Sequence, residues 1–324
     1  MENIIDTIEY PVELSGKTLT QWIEQHRTDI VSKLEREGAV LLRGLNIISS
    51  MQFGMRTQEL FGSELVSYSN RSTPRKELKG NVYTSTEYPP EESIPLHNEN
   101  AYSHTWPMKL AFLCLIAPSV GGQTPIADSR SVYRSIPAHI REKFEQKGVL
   151  YQRNYGKVGL PWQEVFQVET QAEVDECCRN AGIHFEWQED GTLKTLQRCP
   201  AVQIHPVTGE KVWFNQAHLF HVSNHTAENR KALLETFSLD ALPRHSFYGD
   251  GEPIEEEYLD VIRQVFLSEK IMFSWQRGDL LLIDNMLYCH GREPFEGNRR
   301  ILVSMAEANS IKQQEKCGVE NECA

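Results

Sequence analysis

The stretch that decides the fold is DLLLIDNMLYCHGREPFEGNRRILVSMA, residues 279–306. It contains two short apolar runs, 279–285 and 299–306, joined by a loop of glycines and charged residues. Short apolar runs bounded by turn residues predict buried strands. His290 lies between the two runs. The stretch therefore predicts a strand–loop–strand unit that carries a candidate functional histidine.

Similar runs recur along the chain and predict further strands. They are residues 39–45, 108–117, 124–128, 201–206, 210–216 and 270–276. Helical spacing of apolar residues predicts helices elsewhere. These are an N-terminal pair at 19–37 and 51–62 and insertions at about 130–147, 171–181, 226–240 and 255–268.

The order of these elements favours one fold class. Strands and helices do not alternate regularly, which argues against a doubly wound parallel sheet. We predict a mainly β, α+β chain with a double-stranded β-helix (jelly-roll) core, N-terminal helices and helical insertions. Residues 1–324 form a single domain in this interpretation, with a long polar loop at 63–93. The polar tail, 308–324, is expected to be flexible.

Charge and composition exclude some functions. The net charge of −12 argues against general nucleic-acid binding, which needs a basic surface. The longest apolar run, 110–117, is too short to span a bilayer, and the first residues do not predict a signal peptide. Seven cysteines occur without a CxxC pair, which indicates reduced thiols. We therefore expect a cytoplasmic protein without nucleic-acid or membrane partners.

A candidate metal site begins in IPLHNENAY, residues 94–102. His97 and Glu99 are two residues apart, so in an extended segment both side chains point to one face. An imidazole and a carboxylate suit Fe(II) and similar divalent metals, although the pair alone is a common coincidence. Adding His290 completes the two-histidine, one-carboxylate triad of non-haem Fe(II) oxygenases.

An arginine pair follows that histidine by nine and ten residues, and a guanidinium binds a carboxylate through two parallel hydrogen bonds. The face of the strand that continues Arg299 carries isoleucine, valine and methionine. The face that continues Arg300 carries leucine, serine and alanine, which are smaller on average. We therefore predict that Arg300, rather than Arg299, faces a pocket.

Together these residues resemble the taurine dioxygenase/TfdA superfamily of Fe(II)/2-oxoglutarate-dependent dioxygenases. Within it, the chain is similar to the clavaminate synthase-like and SyrP-like amino-acid hydroxylases. The resemblance runs from about Gly38 to Met305. It rests on the motifs YTSTEYP (83–89), HNENAY (97–102), GGQTPIADSR (121–130), VWFNQAH (212–218), WQRGDLLLIDN (275–285) and HGREPFEGNRRILV (290–303).

The resemblance implies roles for individual residues. His97, Glu99 and His290 match the iron ligands, and Thr124 and Arg300 match the residues that bind 2-oxoglutarate. The implied cofactors are Fe(II), 2-oxoglutarate as cosubstrate and O2. Related halogenases lack the carboxylate ligand, so the glutamate argues against halogenation.

Substrate contacts are implied at two further places. In the loop 69–75, Arg71 or Arg75 would hold a carboxylate of the substrate, and Asn215 in VWFNQAH would meet an amino or carboxyl group. Asn98 would meet polar substrate groups or satisfy the local backbone. The superfamily's taurine-binding arginine, four residues past the cofactor arginine, is replaced by Ser304.

The implied function is hydroxylation of an unactivated C–H bond of a free amino acid or amino-acid derivative, in natural-product biosynthesis, with release of succinate and CO2. One alternative is a substrate tethered to a peptidyl carrier protein. Others are desaturation, cyclisation or C–N cleavage at the same site, or a binding protein with a vestigial site. The oligomeric state and the particular small-molecule substrate stay open.

Overall fold

The computed structural model describes residues 9–14, 16–67, 75–85, 88–156 and 158–311. Its α-helices, in chain order, are α1 (Leu19–Glu37), α2 (Ser50–Phe61), α3 (Ser129–Ser135), α4 (Ala138–Lys147), α5 (Trp162–Phe166), α6 (Gln171–Ala181), α7 (Ala217–Phe220), α8 (Ala227–Thr236) and α9 (Glu256–Ser268). Short 3-10 turns follow at Val222–Asn224 and Leu239–Ala241. Within these described ranges, no helix is both long and apolar enough to cross a membrane.

The strands are mostly short and are distributed along the whole described chain. In chain order they are β1 (Glu9–Pro11), β2 (Ala39–Arg43), β3 (Val82–Thr84), β4 (Ile94–His97), β5 (Thr105–Ile116), β6 (Val120–Gly121), β7 (Ile126–Asp128), β8 (Val149–Tyr155), β9 (His184–Trp187), β10 (Leu193–Cys199), β11 (Val202–Ile204), β12 (Lys211–Trp213), β13 (Arg244–Tyr248), β14 (Leu280–Asp284), β15 (Tyr288–Arg292), β16 (Phe295–Glu296) and β17 (Arg300–Ser310).

Two sheets enclose the first core. The larger has the strand order β1-β2-β14-β5-β17-β3, antiparallel except for the parallel pair β1 and β2. The smaller has the order β4-β15-β7. Alternate residues of the larger sheet, such as Phe112, Ile283 and Val303, pack in one cluster with Ile126 and Leu287 of the smaller sheet's layer. Strand alternation thus sends one face of the large sheet inward, toward β4 and β15.

The opposite face of the large sheet packs against the N-terminal helices. Helix α1 begins with a capping box at Thr18 and buries Trp22 and Leu34 against this face. It ends at Gly38, whose φ of 88° is left-handed, and a Cβ there would lie 2.6 Å from the ring of Tyr288. The predicted helices 19–37 and 51–62 are confirmed to within a residue or two.

Several boundaries differ from the sequence prediction. The segment 270–276 is not a strand and pairs only at Ile271, by one bridge to Ile126. The predicted helix 130–147 is two helices, because Pro137 interrupts it between α3 and α4. The polar tail begins later than predicted, since β17 continues to Ser310. The rest of that tail, 312–324, lies outside the described residues.

A four-stranded sheet with the order β13-β8-β10-β9 was not predicted. Its strands carry many polar and charged residues, as in LKTLQRC of β10 and RHSFY of β13. Short half-polar strands give a weak signal when neither neighbour is known. This sheet pairs β13 with β8 and places it against α7.

Candidate active site

The two predicted histidines lie opposite each other. Strand β4 pairs antiparallel with β15, and His97 is in register with His290. Their ring centroids are 4.6 Å apart. One ligand atom from each of His97, Glu99 and His290 lies within 4.8 Å of the others, which makes these three residues a candidate metal-binding group.

Glu99 reaches this group through a turn rather than by strand alternation, because β4 ends at His97. The buried side chain of Asn285 clamps the turn. Its Oδ1 accepts from the Glu99 backbone N–H at 2.7 Å, and its Nδ2 donates to the Glu99 carbonyl at 2.9 Å. The predicted residue Glu99 thus reaches the group by a turn and not by the strand alternation that the HxE spacing suggested.

The electrostatics of the group suit a metal. Burial lowers the pKa of His97, against the opposing effect of Glu99, and lowers the pKa of His290 well below its ordinary value. Neutral imidazoles have the free lone pair that a metal requires. The ring of His97 is oriented by a 2.9 Å contact between Nδ1 and the Pro95 carbonyl oxygen, which directs Nε2 to be the ligand atom. Two neutral imidazoles and a carboxylate fit Fe(II).

Arg75 contacts the carboxylate of this group. Its Nη2 donates to Glu99 Oε2 at 2.7 Å, and the side chains are only 4% and 3% exposed. Arg75 therefore acts on a metal ligand, and the predicted direct contact with a substrate carboxylate is not what this geometry favours.

A small cavity of about 30 Å³ lies on one side of the two histidines. Thr124 and Arg299 line it. Arg299 Nη2 donates to Thr124 Oγ1 at 3.3 Å, and Arg299 Nε donates to the Gly122 carbonyl at 2.9 Å. Trp275 Nε1 also donates to Thr124 Oγ1, at 3.1 Å. Burial lowers the pKa of Arg299 to about 10, so it stays cationic at neutral pH.

The prediction that Arg300 faces the pocket is wrong. Arg300 is exposed, whereas Arg299, Ile301 and Val303 line the cavity. The bulky apolar face of β17 is the inner one, because it fills the space between the two sheets. The smaller residues face the N-terminal helices, which pack closely on them. The residue four positions past Arg299 is Val303, so no arginine stands there either.

A second cavity, of about 100 Å³, shares His97 with the smaller one. His97 and Glu99 line it together with Tyr88, Gln216, Asn224 and Arg244. The last three were not predicted. Arg244 is the first residue of β13. In the sequence it precedes a short alternating run, but no strand was predicted in that segment.

One more arginine contacts the loop that borders the second cavity. Arg292, which is 5% exposed, donates from Nη1 to the Tyr88 carbonyl at 3.0 Å and from Nη2 to the Glu92 carbonyl at 2.7 Å. It fixes the loop that carries Tyr88 over the second cavity. The described part of the predicted long loop, 63–93, is thus an ordered wall of the site, and it also contains β3.

Comparison with known protein families decides the identification. The family model described as taurine catabolism dioxygenase TauD, TfdA family matches residues 6–306. The chain belongs to the TauD, TfdA family. It is accordingly a 2-oxoglutarate-dependent non-haem iron dioxygenase, which confirms the predicted enzyme class and the cofactors Fe(II), 2-oxoglutarate and O2.

Two relatives match most of this TauD, TfdA-family chain. The dapdiamide synthesis protein DdaC of Enterobacter agglomerans is 41% identical over 294 residues, 90% of this chain and 88% of the relative. A clavaminate synthase-like protein of Arabidopsis thaliana is 32% identical over 306 residues, 91% of this chain and 89% of the relative.

Solved structures show the same fold. A taurine dioxygenase-like protein of Burkholderia xenovorans, described as α-ketoglutarate-dependent, superposes with a TM-score of 0.51 at 15% identity, over 94% of this chain and 87% of that one. AAD-2, solved with Mn(II) and N-oxalylglycine, superposes with a TM-score of 0.52 at 12% identity, over 94% of each chain. The jelly-roll prediction is thereby confirmed.

Two further predicted residues of this TauD, TfdA-family site, Asn98 and Asn215, lie apart from its cavities. The Asn98 amide donates to Ser129 Oγ and, at 2.7 Å, to the Asn285 carbonyl. Asn215 donates to the Ala201 carbonyl at 2.8 Å and accepts from the Ala217 N–H at 3.0 Å. Both asparagine side chains are buried and hydrogen-bond to backbone groups, so substrate contact is not supported for either. Arg71 lies outside the described residues.

Proposed function

We propose that this dioxygenase hydroxylates an unactivated C–H bond of a free amino acid or amino-acid derivative, with release of succinate and CO2. One observation carries the proposal: two cavities share His97, and the smaller is lined by Arg299 among other arginines, whereas the larger is lined by Arg244. An enzyme that oxidises both a cosubstrate and a substrate at one metal needs a separate binding cavity for each.

The chain's own residues divide the work. His97, Glu99 and His290 would hold Fe(II), which supplies the O2 activation that couples 2-oxoglutarate decarboxylation to C–H oxidation. Arg299 and Thr124 would bind the distal carboxylate of 2-oxoglutarate in the smaller cavity. The apolar inner face of β17, with Ile301 and Val303, excludes water from that cavity.

The second cavity is the place for the substrate. Its wall offers the amides of Gln216 and Asn224 and the guanidinium of Arg244. Polar groups that converge on a cavity fix the orientation of a polar substrate such as an amino acid. The similarity to DdaC, a dapdiamide synthesis protein, supports a place in natural-product biosynthesis.

The test is a turnover screen with two readouts. Purified protein is incubated with Fe(II), ascorbate and 2-oxoglutarate, first with free amino acids and simple derivatives and then with aminoacyl groups loaded on a peptidyl carrier protein. We expect succinate release together with a product that has gained one oxygen atom. A product that has lost two hydrogens would replace hydroxylation by desaturation or cyclisation, and oxidation of the tethered substrate only would replace the free amino acid.

The His97→Ala variant is the control for background oxidation by free iron. Succinate and product must both disappear in this variant. If wild-type protein releases no succinate with any of these substrates, the proposal is wrong.

A further inference from the structure

Two arginines face each other at the outer edge of the second cavity. Arg244 of β13 is the direct cross-strand partner of Arg153 of β8. Side chains of directly opposed residues lie on the same face of a sheet, and like charges in that position are destabilising. The arrangement is therefore one that the fold by itself would not favour.

Arg244 has no acidic partner in the part of the chain that the structure describes. Its side-chain neighbours are the ring of Phe220, at 5.6 Å from the guanidinium carbon, the imidazole of His225, the guanidinium of Arg153, and the hydroxyls of Tyr88 and Tyr102. The residue is only partly exposed. Burial, and then Arg153, lower the pKa of Arg244. A guanidinium held in this way gains strongly from a bound anion.

The position of Arg244 connects two spaces. It lines the 100 Å³ cavity that contains His97 and Glu99, and it also lines a groove of about 220 Å³ with Arg153, Val158, Leu160 and Leu242. Ligand pockets for small molecules are commonly about 300–1,000 Å³. A substrate larger than the inner cavity would therefore extend past Arg244 into the groove.

We propose that Arg244 is the counter-ion of a free carboxylate on the substrate, so that the enzyme acts on an organic acid and not on a neutral or esterified molecule. The inference rests on the proposed function, because it takes the second cavity as the substrate's place. It also gives that function a sharper substrate class. An aminoacyl group on a carrier protein has no free α-carboxylate, because this group forms the thioester.

The experiment measures binding rather than turnover. The probes are the proteinogenic L-amino acids and their N-acetyl derivatives, each as free acid and as primary carboxamide. Dissociation constants are determined by calorimetry in oxygen-free buffer with Fe(II) and 2-oxoglutarate. The proteins are wild type, Arg244→Gln, Arg244→Lys and the charge-matched control Arg134→Gln, whose side chain is 59% exposed.

We expect at least one free acid to bind wild type about ten- to a hundredfold more tightly than its carboxamide, as hydrogen bonds between charged groups allow. Arg244→Gln removes this difference, Arg244→Lys retains part of it, and Arg134→Gln leaves it unchanged. The comparison of acid and carboxamide on wild type needs no variant and is independent of any folding defect.

The inference is overturned if no free acid binds wild type, if acid and carboxamide bind equally, or if Arg244→Gln keeps the wild-type preference. Succinate release by wild type, measured in parallel, separates the two claims. Succinate release without a carboxylate preference sinks only the inference. A carboxylate preference that depends on Arg244, without succinate release, sinks only the proposed reaction.

Discussion

Arg75 and Glu99 form a buried ion pair, 2.7 Å between Nη2 and Oε2, and the glutamate of that pair belongs to the metal-binding group. The turn that carries Glu99 is fixed by Asn285, and its carboxylate is directed by Arg75. A buried carboxylate without a positive partner is costly. Arg75 therefore compensates the charge of this buried carboxylate and orients it.

This relationship predicts a metal-dependent stability defect in Arg75→Met. Removal of one partner of a buried pair costs about 3–5 kcal/mol in the free energy of unfolding, because the other charge is left uncompensated. A bound divalent cation supplies the missing positive charge, so the defect should shrink when Mn(II) is added. Urea unfolding of wild type and variant, with and without Mn(II), measures both values. An equal defect in both conditions would mean that Arg75 does not compensate Glu99.

The two neighbouring arginines at the start of β17, Arg299 just before it and Arg300 as its first residue, provide a matched pair. Arg299→Gln should raise the 2-oxoglutarate concentration needed for half-maximal succinate release about ten- to a hundredfold, because a charge-assisted contact to a carboxylate is lost. Arg300→Gln should leave it within about twofold, because its side chain is exposed. Steady-state kinetics on both variants decide the point. The reverse pattern would restore the assignment made from sequence.

The assignment of Arg300 to the pocket marks a limit of what the sequence could predict. The triad His97, Glu99 and His290 was predictable, because two short motifs carry residue types that have few other uses together. To choose between Arg299 and Arg300, one must know which face of β17 is covered by helices, and the sequence does not give this. Residue size alone led to the wrong face being assigned to the pocket. The bulky side chains fill the space between the two sheets, and the helices pack on the small side chains.

Arg244 shows a different limit. The strand that carries it is half polar, and its neighbour β8, like β10 beyond it, is distant in sequence from the triad. The cavity exists only because α7, β13 and the loop after β3 meet at His97. The jelly-roll class could be predicted from the strand pattern. The wall of the second cavity depends on long-range packing: Gln216 lies in the motif VWFNQAH, but Asn224 and Arg244 lie outside every motif that was identified.

Three buried histidines make stability depend on pH. Burial lowers the pKa of His218 and of His245 to about 3, and that of His221 to about 4. Their folded values lie below the unfolded value of about 6.5, so below that pH the unfolded state binds more protons. The contribution of these histidines to the free energy of unfolding is fully present above about pH 6.5 and is lost as the pH falls toward 3. Each group should cost about 2 kcal/mol between pH 7 and pH 5.

The matched variants for this effect are His245→Gln and His184→Gln. His245 is 3% exposed, whereas His184 is exposed. His245→Gln should reduce the loss of unfolding free energy between pH 7 and pH 5 by about 2 kcal/mol, and His184→Gln should not change it. Urea unfolding at the two pH values gives the comparison. The same pH dependence in wild type and His245→Gln would contradict the assignment to this group.

The most direct measurement is Fe(II) binding to the apoprotein by equilibrium dialysis in oxygen-free buffer. We predict one Fe(II) per chain in wild type and in the exposed-histidine control His184→Ala. We predict affinity more than about a hundredfold weaker in His290→Ala, because loss of even a residue that orients a ligand costs 10–100-fold. One tightly bound Fe(II) in His290→Ala would show that the metal lies elsewhere and would contradict the account.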